Sequence, residues 1–316
     1  MRRSIIAAVT ALTFAAVITG CGASEGSGET ASTTAAEAEG TSAEDTEAAS
    51  EAEDDGSAAD GENVVVKLGV VGSIYEDLWE GPAEKLKEEG IDLELVQFSD
   101  YVTPNNALNS GEIDLNSFQH QIYLNNEIEQ YGYEIQAVGN TFIIPLNLYS
   151  DKITSVDEIK DGDVIAIPND LTNGGRALKV LESAGLIELS EESAFSPTID
   201  DIETYNVDIT IEELAANTIP SVLPDITAGI INGNYALDFG LKTEEALFKD
   251  TSVSESQYWN IVAARTADLS DPEKVEVYDK VIKAFQTDDE IDVFNNEFGG
   301  YFIAQGWDQD LLADYK

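Results

Sequence analysis

Arg176 stands at a point in the sequence suited to holding a carboxylate group. It follows the polar segment Asn173-Gly174-Gly175, which itself follows an apolar run at 164–168 typical of a buried strand. The apolar spacing of 177–185 predicts a helix that begins beside Arg176. Free N–H groups and the helix dipole favour an anion at such a start, and a guanidinium can bind a carboxylate through two parallel hydrogen bonds. The alternative is an exposed arginine beside two turn glycines.

Four ring-bearing residues further upstream are candidates for a pocket wall. Phe118, His120 and Tyr123 lie within six positions of one another, and Tyr101 precedes them. His120 is the only histidine of the chain. A lone histidine is more often a hydrogen-bonded structural residue than a ligand contact, and rings at this spacing are also typical of a core. The residues alone therefore leave both interpretations open.

Two asparagines after a later apolar run add polar candidates. Asn232 and Asn234 follow the predicted strand 228–231. Asparagine in such a position can bind a ligand, but it is also a common turn residue.

Strands and helices that alternate along the chain must position these residues. Apolar patterns predict strands that include 64–72, 91–97, 137–150, 164–168, 228–231 and 259–265. Helical spacing predicts helices that include 73–89, 105–110, 177–185 and 275–298, with Gly90 and Gly185 as stops. This alternation predicts an α/β fold with mostly parallel sheets.

Two of the strands are candidates for crossings between lobes. If the chain crosses at 137–150 and returns at 259–265, lobe 1 comprises 64–146 plus 256–316, and lobe 2 comprises 147–255. Ligands of such folds bind in the cleft, at the carboxyl ends of strands.

The first 63 residues have a different character. Two arginines, an apolar run and Ile18-Thr19-Gly20-Cys21 predict a signal peptide at 1–20. The last four of these residues resemble a bacterial lipobox, which predicts cleavage before Cys21 and lipid attachment to it; cleavage elsewhere would leave a free thiol. Residues 22–63 contain no aromatic or basic residue, so we expect 21–63 to be a disordered acidic linker with a span of roughly 35 Å.

Composition excludes several classes of function. The formal net charge of −46 would repel a phosphate backbone, so we expect no nucleic-acid partner. One cysteine allows no intrachain disulfide, and one cysteine with one histidine is too few for a structural zinc site. No GxSxG elbow between a predicted strand and helix, no metal-ligand spacing and no second histidine suggests catalysis. We therefore predict neither an enzyme nor a cofactor.

Several long segments resemble one known family. They are FSDYVTPNNALNSGEIDLNSFQHQIYL, the stretch from AVGNTF through RALKVLESAGLI, and GIINGNYAL. Their order and spacing resemble the NlpA/MetQ family of methionine-binding lipoproteins of bacterial ABC importers, over about 64–300. The resemblance implies a two-lobe, type II periplasmic-binding-protein-like fold that encloses one free amino acid.

The resemblance also implies roles for the candidate residues. Arg176 would hold the ligand carboxylate and Asn232 its amino-acid backbone. The rings of Tyr101, Phe118, His120 and Tyr123 would line the pocket for the side chain, with Asn140 as a further polar contact.

The implied role is a lipid-anchored protein on the extracytoplasmic face of the cell membrane. It would deliver L-methionine to a permease served by a separate ATPase subunit. The alternatives are another ligand, namely D-methionine, methionine sulfoxide, a short methionine peptide or another apolar amino acid, or a surface lipoprotein without a transport role.

Overall fold

The computed structural model describes residues 63–191 and 195–316. The predicted signal peptide, the predicted lipid-attachment site Cys21 and the predicted linker up to residue 62 lie outside the described residues. Within the described part of the chain, no helix has both the length and the apolar character needed to cross a membrane.

Strands and helices alternate as the sequence predicts. The strands are β1 (Val64–Val71), β2 (Ile91–Phe98), β3 (Leu115–Asn116), β4 (Ile135–Asn140), β5 (Phe142–Ile143), β6 (Leu146–Tyr149), β7 (Val164–Pro168), β8 (Ile187–Leu189), β9 (Ile202–Tyr205), β10 (Thr210–Leu214), β11 (Ala228–Asn232), β12 (Ile261–Arg265) and β13 (Ile303–Ala304). The helices are α1 (Ile74–Glu88), α2 (Thr103–Ser110), α3 (Gln121–Tyr131), α4 (Leu171–Ser183), α5 (Ile219–Val222), α6 (Gly233–Asp238), α7 (Pro272–Phe285) and α8 (Asp288–Asn296).

Two mixed sheets form the framework. The first sheet has the order β2-β1-β3-β12-β4, and the second has the order β10-β7-β11-β6. Each contains one strand that runs against its neighbours, β12 in the first sheet and β6 in the second. Each reversed strand is the first that the chain forms in its sheet after it leaves the other sheet. The α/β fold is thus confirmed, with one antiparallel strand at each crossing.

The predicted continuous strand at 137–150 is wrong. The chain instead forms β4 in the first sheet, the short β5 paired with β13, and β6 in the second sheet. Pro145 lies between β5 and β6, where its missing N–H and fixed φ disfavour a continuous strand. The chain therefore passes from one sheet to the other between Asn140 and Leu146.

The predicted start of the helix at Arg176 is also wrong. Helix α4 begins at Leu171, and the Asp170 carboxylate caps it by accepting a hydrogen bond from the Asn173 N–H at 2.9 Å. Arg176 is therefore in the second turn, away from the free N–H groups. Gly174 and Gly175, predicted as a turn, are helical.

Close packing explains the two helical glycines. A Cβ added to Gly174 would lie 2.8 Å from the Pro168 carbonyl oxygen, and one added to Gly175 would lie 2.8 Å from the Ser196 Cα. The absence of side chains lets α4 approach its neighbours closely, at the usual conformational cost of glycine in a helix.

Helix α1 receives its N-terminal cap from a distant part of the chain. Ser73 makes no side-chain capping bond within its own helix. Instead the carboxylate of Asp238, at the end of α6, accepts hydrogen bonds from the Ser73 N–H (3.2 Å), the Ser73 hydroxyl (2.8 Å) and the Ile74 N–H (3.0 Å). The free N–H groups of a helix start need such an acceptor. Asp238 therefore joins the element after the second sheet to the helix after β1.

Aromatic side chains dominate the core beside α1. Trp79 on the buried face of α1 packs against Phe285 of α7, with ring centroids 4.6 Å apart. Phe142 of β5 contacts Phe302 edge-on at 4.7 Å. The predicted helical region 275–298 is divided into α7 and α8, and Thr287 caps α8.

We predict that Gly175→Ala destabilises the protein by about 1–3 kcal/mol, because the new methyl group would collide with the backbone of Ser196 and Pro197. Gly81→Ala is the matched control in an exposed helical position, where an added Cβ meets no atom within 4 Å. It should stabilise α1 by about 0.5–1 kcal/mol. Urea unfolding of both variants measures the difference, and equal effects would contradict the packing argument.

We predict that Glu290→Gln changes how stability depends on pH. Burial raises the pKa of Glu290 from its ordinary 4.5 to about 8. Between these values the folded chain binds a proton that the unfolded chain releases, so the free energy of unfolding falls as pH rises. The free energy of unfolding of the glutamine variant does not fall in this way. Its difference from that of the wild type should therefore increase from pH 4.5 upward and become constant above about pH 8.

Urea unfolding across this pH range is the measurement. Asp292→Asn, an exposed substitution on the same helix, is the control and should follow the wild type. A constant difference between Glu290→Gln and wild type at all pH values would count against the argument.

Candidate ligand-binding site

A cavity of about 410 Å³, a volume that includes space open to solvent, is lined by residues that follow strands of both sheets. Tyr101 and Phe118 come after β2 and β3, and Arg176 and Asn232 come after β7 and at the end of β11. The cavity thus lies at the carboxyl ends of these strands, where α/β folds place their ligands. The predicted residues that line it are Tyr101, Phe118, His120, Tyr123, Arg176 and Asn232.

Asn140 is not brought together with the other six. Its side-chain amide donates hydrogen bonds to the Gly306 carbonyl oxygen (3.2 Å) and the Gln309 side chain (3.3 Å). Its backbone carbonyl accepts a hydrogen bond from Gln286 at 2.8 Å. Asn140 therefore fastens β4 to the C-terminal segment, outside the cavity wall.

Arg176 is buried but not fully engaged. Only 2% of its surface is exposed. Its Nη2 donates to the Ile144 carbonyl oxygen at 3.1 Å and forms a salt bridge with Asp250, and its Nε donates to the Ser252 hydroxyl at 3.1 Å. The guanidinium carbon also lies 4.4 Å from the centre of the Tyr258 ring. No described residue accepts a hydrogen bond from Nη1, so this end of the guanidinium remains available at the cavity wall.

His120 has a structural role and also lines the cavity. Its Nδ1 accepts a hydrogen bond from the Tyr123 N–H at 3.1 Å and so caps α3. Its Nε2 lies 3.2 Å from the Asn173 side-chain oxygen. With Nδ1 as acceptor, the neutral ring carries its proton on Nε2 and donates it to Asn173. Burial, followed by the charge of Arg176, lowers the pKa of His120 to about 3, so the ring is neutral at physiological pH.

Asparagine side chains connect the two halves of the cavity. The Asn173 oxygen accepts hydrogen bonds from Asn232 Nδ2 at 2.8 Å and from His120. Asn173 Nδ2 in turn donates to the Asp170 carboxylate at 3.0 Å. The remaining oxygen of Asn232, Oδ1, is buried and has no partner among the described residues. A buried acceptor without a donor is costly, so this atom marks a place where a donor is missing.

Aromatic rings form the opposite wall. The ring of Tyr101 lies 5.9 Å from Phe118 and 6.2 Å from Tyr123, measured between centroids. The Tyr101 hydroxyl donates to the Asn234 side-chain oxygen at 2.5 Å, and the Tyr123 hydroxyl donates to the Tyr101 carbonyl oxygen at 3.0 Å. Burial raises the pKa of Tyr101 well above its ordinary value of 10. These rings therefore present neutral, fixed faces and edges to the cavity.

Some residues of the site escape prediction from sequence. The sequence pattern assigns Asn173 to a turn, although its place three residues after Asp170 is a signal for a capped helix start. Asp250 offers no such signal, because it is one of 62 acidic residues and lies 74 positions from Arg176. Within the described residues, no group of three or more potential ligands could hold a metal ion.

The chain is similar to known proteins over most of the described residues. The family model of the NlpA lipoproteins matches residues 66–306. The D-methionine-binding lipoprotein MetQ of Yersinia pestis is 40% identical over 246 residues, which cover 77% of this chain and 88% of that protein.

Solved structures are similar over the same region. A nutrient binding protein from Burkholderia cenocepacia bound to methionine has a TM-score of 0.71 and 35% identity, and the match covers 76% of this chain and 100% of that one. The substrate binding protein of a methionine transporter from Streptococcus pneumoniae has a TM-score of 0.73 and 34% identity, with 77% of this chain and 96% of that chain covered. The match of a family model to most of the chain, together with these relatives, shows that the chain belongs to the NlpA lipoprotein family.

Proposed function

We propose that the protein captures free methionine and delivers it to the permease of an ABC importer. Two lobes, 64–146 plus 256–316 and 147–255, close around the ligand. The names of the relatives support methionine as the ligand, in the D form for the Yersinia pestis lipoprotein. The similar protein from Streptococcus pneumoniae is the substrate binding protein of a methionine transporter, which supports a transporter as the partner. We take L-methionine as the first candidate and its D form as the alternative.

One observation carries the proposal: the cavity contains an unengaged cationic donor, an unpaired acceptor and a ring-lined apolar wall. Nη1 of Arg176 binds the ligand carboxylate, and Oδ1 of Asn232 accepts a hydrogen bond from the ammonium group. A bound amino acid thus supplies the partners that both groups lack. Zwitterion recognition requires both groups at once.

The ring-lined wall suits the methionine side chain. A thioether is apolar and polarizable, and its sulfur gains from contact with the edges of aromatic rings such as Phe118 and Tyr123. These two rings are 6.1 Å apart and nearly perpendicular, so they offer both a face and an edge. Asn140 takes no part in this arrangement of contacts.

Lipid on Cys21 holds the protein at the extracytoplasmic face of the membrane. More than one acyl chain is needed for stable anchoring, which the lipid modification of such a cysteine provides. The acidic linker 21–63 lets the folded part reach the permease without a fixed orientation. ATP hydrolysis belongs to the separate ATPase subunit, because the sequence contains no phosphate-binding GxxxxGK[ST] motif.

We expect calorimetry with L-methionine to show saturable binding at one site. The protein should first be unfolded, dialysed and refolded to remove any ligand carried through purification. Competition with D-methionine, methionine sulfoxide, a methionine dipeptide and norleucine then ranks the alternatives. The sulfoxide should bind more weakly because its polar oxygen would enter the ring-lined wall. The absence of both heat and thermal stabilisation with every member of this set would refute an amino-acid-binding function.

We expect Arg176→Lys to weaken methionine binding by about 10-fold to 100-fold, because one ammonium group cannot keep the bonds to Asp250 and Ser252 and still present a donor to the ligand. Arg176→Ala should weaken it further, but it also leaves Asp250 buried without its partner. Lys179→Ala is the control on the same helix: this lysine stacks on the Phe195 ring outside the cavity and should leave affinity unchanged. Equal affinities of the Arg176 and Lys179 variants would rule out the carboxylate clamp.

A further inference from the structure

Asp250 is buried directly behind the proposed carboxylate-binding group. Its side chain is fully buried, and its carboxylate forms a salt bridge with Arg176 Nη2. The same carboxylate accepts hydrogen bonds from the Leu146 N–H (3.1 Å), the Ser252 N–H (2.8 Å) and the Ser252 hydroxyl (2.6 Å). Asp250 does not line the cavity, so it acts on a ligand only through Arg176 and through its charge.

The cavity wall carries little other charge. Among the described residues that line it, Arg176 alone has a permanent charge. His120 is neutral, because burial lowers its pKa to about 3. Asp170 lies behind Asn173, where it receives hydrogen bonds from the start of α4 and borders a separate groove. The permanent charge at the cavity wall is therefore that of Arg176, and the carboxylate paired with it is Asp250, so the two charges sum to zero.

We propose that Asp250 determines specificity by cancelling the charge of Arg176, so that the cavity accepts a zwitterion and rejects the corresponding carboxylate that lacks an ammonium group. This inference rests on the proposed binding of a free amino acid. It assigns to Asp250 a selective role beyond its hydrogen bonds.

The physical reason is the cost of net charge in a buried site. A bound zwitterion leaves Arg176, Asp250 and the ligand with a total charge of zero. A bound deaminated acid leaves the same group with one negative charge that water cannot solvate. The deaminated acid also leaves Oδ1 of Asn232 without a donor. Specificity thus comes from penalties against the wrong ligand as well as from contacts with the right one.

The test compares L-methionine with 4-(methylthio)butanoate, its deaminated analogue, by calorimetry. We expect the wild type to prefer the zwitterion by about 100-fold or more, and Asp250→Asn to reduce this preference by about tenfold or more. The substitution removes the charge that penalises the anion and leaves Asn232 in place. An unchanged ratio of affinities in Asp250→Asn would overturn the proposal.

Ser252→Ala is the matched control for a merely structural role. It removes the hydroxyl that bridges Arg176 Nε and Asp250 but keeps both charges. Both affinities should fall together, so that their ratio stays as in the wild type. A change of ratio in Ser252→Ala as large as that in Asp250→Asn would show that geometry, rather than charge, sets the preference.

Two further measurements keep the result decisive. Acetate, a small carboxylate probe, should raise the melting temperature of Asp250→Asn but not that of the wild type. Equal stabilisation of both proteins would overturn the charge argument even if methionine proves not to be the ligand. If Asp250→Asn does not fold, Ser252→Asp adds a second negative charge beside the same guanidinium and should increase the preference for the zwitterion. A wild type that binds the deaminated acid as tightly as methionine contradicts the inference in any case.

Discussion

The buried ion pair of Arg176 and Asp250 links the parts of the protein that create the cavity. Arg176 belongs to α4 of the region around the second sheet, Ile144 to the crossing segment, and Asp250 to the stretch that leads back to β12. Two charges removed from water are costly unless their remaining donors and acceptors are satisfied. Here Ser252 and the Leu146 N–H supply those bonds. The geometry of the crossing and the orientation of the guanidinium are thereby determined together.

This constraint explains why polar residues occupy so much of the interior. A guanidinium whose Nη2 and Nε are held on one side points its remaining nitrogen toward the cavity, where neutral groups surround it. His120 contributes as a helix cap and a hydrogen-bond donor to Asn173, rather than as a charge. Asn173 and Asn232 extend the network across the cavity. The site is thus built from fixed dipoles around one compensated cation, an arrangement that would orient the proposed zwitterion without large reorganisation.

Much of this organisation can be predicted from the sequence, and the predictions that fail do so for physical reasons. Glycine stops such as Gly90 and Gly185 and the apolar runs of the strands are local signals, and the structure agrees with them. Pro145 is also a local signal, but the prediction of one strand at 137–150 overlooks it. The two helical glycines misled the prediction, because their cause is a close approach by residues far along the chain. The sequence also does not identify Asp250 as the partner of Arg176, because only the folded structure shows which of the many carboxylates forms this ion pair.

The cap that Asp238 provides to α1 has a consequence for any movement of α6 away from α1. Separating the two would deprive three donors of their shared acceptor, so the described arrangement is favoured without a ligand. Asp238 itself is solvent-exposed, however, and water can replace each of these bonds as the elements separate. The net free-energy cost of breaking this contact is therefore small.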